Sequence, residues 1–405
     1  MEPLRRDRNF LLFWVVQGLS FAGDSFTYVA LPLLVLEATG SVLQMGLLTG
    51  TAGAAWLVVG VFAGVVVDRF DRRRLMIMAD VARAVLYGIV PLVWLFDPQV
   101  WVLYVVMPLG AAFGMLSQVA YVTAIPSLVG KERVTEANGA LSATYASAGI
   151  AGPLLAGVVS GLLGPAAAIG IDAATFAIAA VGMALVRLRS ARTATGAAGV
   201  PWRSFAVGAR FLWRNPTLRS LTLLLAGVLF LTYGLTDVFI YYLKHDLGRT
   251  DGTVGYVLAI AALGTVAAGM TVAALRRRLG FGACWIGAYA IGGLAIAGLG
   301  RAGVVPVIAG LIAVYVFCQG VAGTCSMSLR QQVTPDELLG RVTSAFWTIH
   351  FLPGPIGAAL LTAAVARFGV PAMTLVVGSL LVVVAAVGAL TPVRVRHPEA
   401  APAEA

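Results

Sequence analysis

Charge is scarce in this chain. Of its 405 residues only 11% are Asp, Glu, Lys or Arg, and 60% are hydrophobic. Soluble domains carry about 25% charged residues. That deficit, with a mean hydropathy of +0.91, excludes an ordinary soluble protein and points to an integral membrane one. Cysteine is also scarce: Cys284, Cys318 and Cys325 all lie in apolar runs. Three cysteines cannot all pair and none has metal-ligand spacing, so they read as small apolar packing groups. A phosphate-cradling G-x-x-x-x-G-K-(S/T) motif is missing, which argues against ATP drive. Paired Asp-rich motifs for a metal-diphosphate are missing too. The chain therefore reads as no enzyme, with no cofactor and no metal.

What remains is apolar length. A bilayer core of roughly 30 Å takes about 20 apolar residues per helix, so the chain has room for twelve spans. The first, 10–36, is too long for a signal-peptide core and reads as a retained helix. The expected fold is an all-α membrane protein of twelve helices in two pseudo-symmetric six-helix halves. Residues 1–187 form the first half and 218–391 the second. Residues 188–217 form a cytoplasmic linker, and 392–405 a disordered cytoplasmic tail. The linker after Pro201 reads as an amphipathic interfacial helix. Trp202, Phe205, Phe211, Leu212 and Trp213 are its apolar residues, and Arg203, Arg210 and Arg214 its basic ones.

The net charge of +10 suggests nucleic acid until the charges are placed. One side of the membrane receives only Lys244, Arg249, Arg301 and Arg367, and Arg83 stays inside a helix; the rest of the 28 Lys and Arg fall on the other side. This is the positive-inside bias. It predicts a multi-pass protein of a bacterial-type inner membrane, both termini cytoplasmic, with the lipid bilayer as partner and no nucleic acid.

The halves read as a diverged repeat. "LVGKERVTEANGA" precedes the fifth span and "QVTPDELLGRVTS" the eleventh; "GPLLAG" from Gly152 is echoed by "GPIGAA" from Gly354. Two parallel halves with a site at mid-membrane form a transporter plan.

Between the second and third spans lies "GVVVDRFDRRR". Together with the twelve spans and the six-plus-six split, it resembles the major facilitator superfamily, specifically the branch of macrolide-efflux proteins and the enterobactin exporter. That family's loop signature is G-x-x-x-D-(R/K)-x-G-(R/K)-(R/K). Gly64, Asp68, Arg69, Arg72 and Arg73 match it, whereas Asp71 stands where the pattern has Gly. The resemblance implies a conformational latch. Asp68 would accept bonds at the N-terminus of the helix beginning near Arg341, with Gly64 permitting close approach. The other reading is topology and anionic lipid alone. The departure at Asp71 puts the usual tight turn in question.

In the fifth span Gly149, Gly152, Pro153 and Gly157 resemble, imperfectly, the glycine-proline signature of the family's antiporters. Ordinary small-residue packing is the alternative. The fourth span has Gln118 and lacks the arginine that proton-coupled members often carry there.

Intramembrane polar groups are expensive and default to functional candidates. Asp24 lies near the middle of the first span and could bind and release a proton, in competition with a cationic substrate. Its alternative is a carboxylate bonded to a neighbouring helix. His350 and Asp237 are further proton-coupling or substrate candidates. Asp172 and Asp237 sit toward span ends as gates or solvated termini. Asp80 and Arg83, three apart on one helix face, read as a structural pair. Gln17, Phe21, Tyr28, Gln118, Tyr145, Tyr233, Gln319 and Trp347 are cavity candidates.

The expected function is proton-coupled export of small amphiphilic or drug-like molecules by alternating access. The partners are a small-molecule substrate and protons, and the chain acts as a monomer. The alternatives are export of an endogenous metabolite such as a siderophore, lysolipid transport, or a non-transporting scaffold or receptor.

Overall fold

The structure is a computed structural model. It describes Leu4, residues 7–187 and residues 201–398, apart from the surroundings of Gly64 and the side chains of Val65, Asp68, Lys131, Thr135, residues 201–204 and Asp336. Every long element among them is helical. The first unit holds α1 (Arg8–Thr39), α2 (Val42–Arg69), α3 (Arg72–Phe96), α4 (Val100–Val129), α5 (Val134–Leu163) and α6 (Pro165–Leu185). Then follow α7 (Pro201–Arg214), α8 (Pro216–Thr232), α9 (Leu235–Tyr241), α10 (Asp251–Leu279), α11 (Phe281–Leu299) and α12 (Val305–Val333). The last three are α13 (Asp336–Phe351), α14 (Gly354–Phe368) and α15 (Val370–Ala389).

Twelve stretches among the described residues are long and apolar enough to cross a membrane. Two of them are broken: α8 with α9 makes the seventh span, and α13 with α14 the eleventh. The local chemistry explains both breaks. Gly234 follows Tyr233 in the seventh span, and "LPGP" interrupts the eleventh, where each proline removes an intrahelical donor. The broken spans pack together closely: a methyl group on Gly234 would lie 3.0 Å from the Ala358 Cα, and one on Gly357 would strike the Phe230 carbonyl.

The helix starts follow capping chemistry. Asp7 accepts from the Asn9 and Phe10 amides, Ser41 from Gln44 and Asn215 from Leu218. Gly40, at φ 64°, closes α1 in the left-handed region that glycine adopts freely. Asn9 also exchanges two hydrogen bonds with the Arg187 backbone, at 2.6 and 2.7 Å, which ties the start of α1 to the end of α6.

The chain forms two compact units. One is Met1–Ala197 with Leu243–Ala259, the other Ala198–Tyr242 with Ile260–Ala405. Residues 243–259 had been expected in the second half, but they cluster with the first unit. Asp251 ion-pairs Lys244, which lies 3.8 Å from Glu37 at the end of α1. In the second unit, α7 is helical. It packs on α13, with Leu212 buried and Gly208 against the Arg341 carbonyl. Trp202 and Arg203 have side chains outside the described set, and the linker residues 188–200 lie outside it altogether.

The tail expected to be disordered is in part docked. The Phe281 amide donates to Arg396 O at 2.9 Å, Gly282 to Val395 O at 3.3 Å, and Val393 is fully buried. Two free amides at the start of α11 find acceptors there. Residues 399–405 lie outside the described set.

Candidate functional site

The first unit encloses a cavity of about 560 Å³. Asp24 enters it from α1 and Arg83 from α3, and the two form an ion pair. The guanidinium stacks on Phe176 of α6, with its Cζ 3.8 Å from the ring centre, and lies 5.8 Å from Tyr87. Small residues make room: a methyl on Gly114 of α4 would lie 3.8 Å from the Arg83 Cζ, and one on Gly110 would meet the Tyr87 ring at 2.6 Å. The two charges are unequally sheltered. The Arg83 side chain is 10% exposed and that of Asp24 43%. A fixed buried cation thus holds an anion that faces open space.

Behind this pair sits Asp172, fully buried. It accepts from Thr27 of α1 and, at 3.4 Å, from Thr175. Gly23 allows that contact, since a methyl there would lie 2.6 Å from Asp172 Oδ1. Asp172 is therefore no solvated helix end, and neither is Asp237, which is buried on α9 and lines neither this cavity nor the second.

The pairing of Asp80 with Arg83 is corrected. No ion pair joins them among the described residues; Arg83 pairs across helices with Asp24, while Asp80 is buried with Oδ2 unpartnered. Helical spacing shows which residues share a face, not which neighbouring helix reaches in.

Of the cavity candidates, Gln17, Phe21, Gln118 and Tyr145 line the first cavity, and Gln319 and Trp347 the second. Tyr28 is half exposed and lines neither; Tyr233 packs at the helix break, 3.0 Å from a methyl placed on Gly354. The sequence reading missed Trp56, Tyr87 and Tyr121 as lining groups. Tyr87 carried a signal, one turn beyond Arg83 on the same face of α3.

At the hairpin, the surroundings of Gly64 and the side chain of Asp68 lie outside the described set, and Arg69 is exposed at the end of α2. Arg72 donates to the Thr123 carbonyl at 3.0 Å and Ser127 Oγ at 3.2 Å on α4. Arg73 donates to the Met183 carbonyl at 3.1 Å and to that of Ala184, at the end of α6. Arg73 therefore binds C-terminal carbonyls of α6, where a cation complements the dipole. Asp71 has a role that the family pattern did not suggest: it is the N-cap of α3, accepting from the Arg74 amide at 2.9 Å. Its backbone is extended, φ −63° and ψ 121°, so this turn needs no glycine. Asp71→Ala should lower stability by about 1 kcal/mol, and Asp71→Gly by only a few tenths. Thermal unfolding of the two variants checks the order.

The fifth-span motif splits in two. Gly152 packs on Ser25 of α1, Gly157 meets the backbone of Asp251 and Gly255 on α10, and Pro153 offers its carbonyl to Gly255. Gly149 has nothing within 4 Å of an added methyl. The echoed Gly354 packs on Tyr233 of the seventh span much as Gly152 packs on the first.

The second unit holds a cavity of about 490 Å³. His350 lines it among aromatic rings: Phe346 stacks at 5.4 Å, and Trp347 lies at 5.6 Å. Its Nδ1 is buried without a hydrogen-bond partner. Gln319 donates to the Tyr315 hydroxyl at 2.9 Å. Arg330, counted from sequence among the loop charges, is instead buried in α12 and lines this cavity.

The three cysteines are free and buried. Among the described residues no group of three His, Cys, Asp or Glu side chains is placed to hold a metal ion.

Known proteins resemble the chain along most of its length. The "Multidrug efflux pump Tap" of Mycolicibacterium fortuitum is 26% identical over 352 residues, covering 83% of this chain and 84% of that protein. The "Enterobactin exporter EntS" of Escherichia coli O1:K1 / APEC is 24% identical, covering 89% and 86%. Among solved structures, the nucleoside transporter NupG superposes with a TM-score of 0.75 at 14% identity, covering 94% and 98%. A bacterial homologue of the human lysosomal transporter Spinster, in an inward-facing, unoccupied conformation, gives 0.79 at 16%, over the full length of both chains. The sequence profile of the Major Facilitator Superfamily matches residues 13–358, and the chain belongs to that family.

Proposed function

We propose that this protein is a secondary active exporter of small amphiphilic, drug-like molecules, driven by protons and working by alternating access. The observation that carries the reading is the half-exposed Asp24 facing a cavity while held by the buried Arg83. A proton and a cationic substrate can each compete with Arg83 for that one carboxylate, and exclusive occupancy is what exchange requires. Phe21, Tyr121 and Tyr145 add apolar ring surface beside it; Phe21 meets both tyrosine rings edge-on, at 5.7 and 5.2 Å. Relatives named as a multidrug efflux pump and an enterobactin exporter support export, the second keeping a siderophore-like metabolite as the other substrate class. On this reading the protein is no enzyme and binds no nucleic acid. It works as a monomer in the cytoplasmic membrane with both ends in the cytoplasm.

The test is uptake of ethidium into inverted vesicles carrying the purified protein under an imposed pH gradient. Gradient-driven uptake is expected, and Asp24→Asn should abolish the dependence on the gradient while downhill exchange persists. Ethidium movement indifferent to the gradient in the unmodified protein would overturn proton coupling.

A further inference from the structure

The two cavities differ in charge. Asp24 and Arg83 oppose each other in the first. Among the described residues lining the second there is no carboxylate, and its single charged side chain is Arg330. We infer that the second cavity is a binding site for an organic anion bearing a flat apolar ring system.

Three observations carry this. Arg330 is 2% exposed, its Nε has no hydrogen-bond partner, and no described carboxylate lies within ion-pair distance. A buried guanidinium without a counter-charge is costly and is normally paired. It is held over aromatic rings: Cζ lies 3.8 Å from the Phe346 ring centre and 5.6 Å from that of Trp347. A guanidinium fork suits a carboxylate, which it can bind through two parallel hydrogen bonds.

The remaining polar groups do not supply the missing anion. Ser326 is engaged, donating to the Ala322 carbonyl and accepting from Trp285. Gln319 is held by Tyr315. His350 keeps one unpartnered ring nitrogen, Nδ1, at the same wall. Trp347 is 40% exposed, which leaves ring surface for an apolar body. The cavity also adjoins both broken spans, with Leu225, Val228 and Leu229 of α8 on one wall and α13 on the other. Many secondary transporters build their substrate sites from discontinuous spans.

The inference goes beyond the export reading: that reading concerns a cation at Asp24, and the second cavity is assigned a ligand of the opposite charge. Equilibrium binding is measured without transport. Failure here leaves proton-driven cation export standing, and failure of gradient-driven efflux leaves the anion site standing.

The probes are naphthoate and its neutral isostere naphthamide, titrated against the purified full chain in phosphatidylcholine nanodiscs. Quenching of tryptophan fluorescence is followed, with Trp347→Phe to locate the signal. Naphthoate should bind at least about tenfold more tightly than naphthamide, the equivalent of one good charge-assisted pair. Arg330→Gln should remove that discrimination and Arg330→Lys should keep part of it. Equal affinities in the unmodified protein would overturn the proposal, as would discrimination that persists in a folded Arg330→Gln protein. The probe pair on the unmodified chain decides the question even if the variants fail to fold. Repeating the titration with phosphatidylglycerol separates two sources of the same chemistry. Competitive weakening identifies a lipid headgroup as an occupant, and unchanged affinity identifies a soluble organic acid; the anion site stands in both cases.

Discussion

Arg83→Met should destabilise the protein by about 3 kcal/mol, the lower end of what removing one partner of a buried ion pair costs. The lower end applies because Asp24 is 43% exposed and keeps part of its hydration. Losing the cation does more than free Asp24. The buried carboxylates of Asp80 and Asp172 also lie within the field of Arg83, so three acids would share one region without a counter-charge. Arg83→Lys should fall between Met and the native residue, since an ammonium keeps the charge but loses the planar stack on Phe176. Thermal unfolding in detergent orders the three proteins, and ethidium efflux should fall in the same order. A cycle with Asp24→Asn should show a coupling of roughly 1–3 kcal/mol. A Met variant as stable as the native chain would show that the pair contributes nothing to the fold.

Gly157→Val should be as damaging for a different reason. A first side-chain carbon at this position would lie 2.7 Å from the Asp251 carbonyl oxygen and 2.7 Å from the Gly255 Cα. Both are backbone atoms, so no rotamer change relieves the overlap, and α5 must separate from α10. Overpacking of this kind costs about 1–3 kcal/mol where neighbours can shift, and the upper end is expected here. Gly149→Ala, eight residues earlier in the same motif, should be neutral or gain up to about 1 kcal/mol, because open space surrounds it and alanine favours the helix. Unfolding temperatures of the two variants separate a motif that acts as a unit from one in which single glycines carry the contact. Equal effects at both positions would refute the contact-by-contact account.

Much of the fold was legible because lipid leaves few options. A backbone that must satisfy its own hydrogen bonds in the bilayer is helical, and the apolar runs located the spans. The first cavity was half legible. Gln17, Phe21, Asp24, Gln118 and Tyr145 were singled out as polar or aromatic groups at depth and do come together. The partner of Asp24 was not legible, since Arg83 lies on another helix and the tempting neighbour, Asp80, was only three residues away. Arg330 was misplaced for a related reason: nearness to a helix end suggested a loop charge, while packing against Phe346 drew it inside. Asp71 was puzzling only against the family pattern. Read as an acid one residue before α3, it is an ordinary capping residue.

The docked tail bears on biosynthesis. The strap from Val393 to Arg396 supplies acceptors to Phe281 and Gly282, more than a hundred positions earlier in the chain. A ribosome delivers roughly 5–20 residues per second, so α11 waits several seconds after its own emergence for its first turn to be closed. A nascent chain with all twelve spans inserted is still an unfinished one.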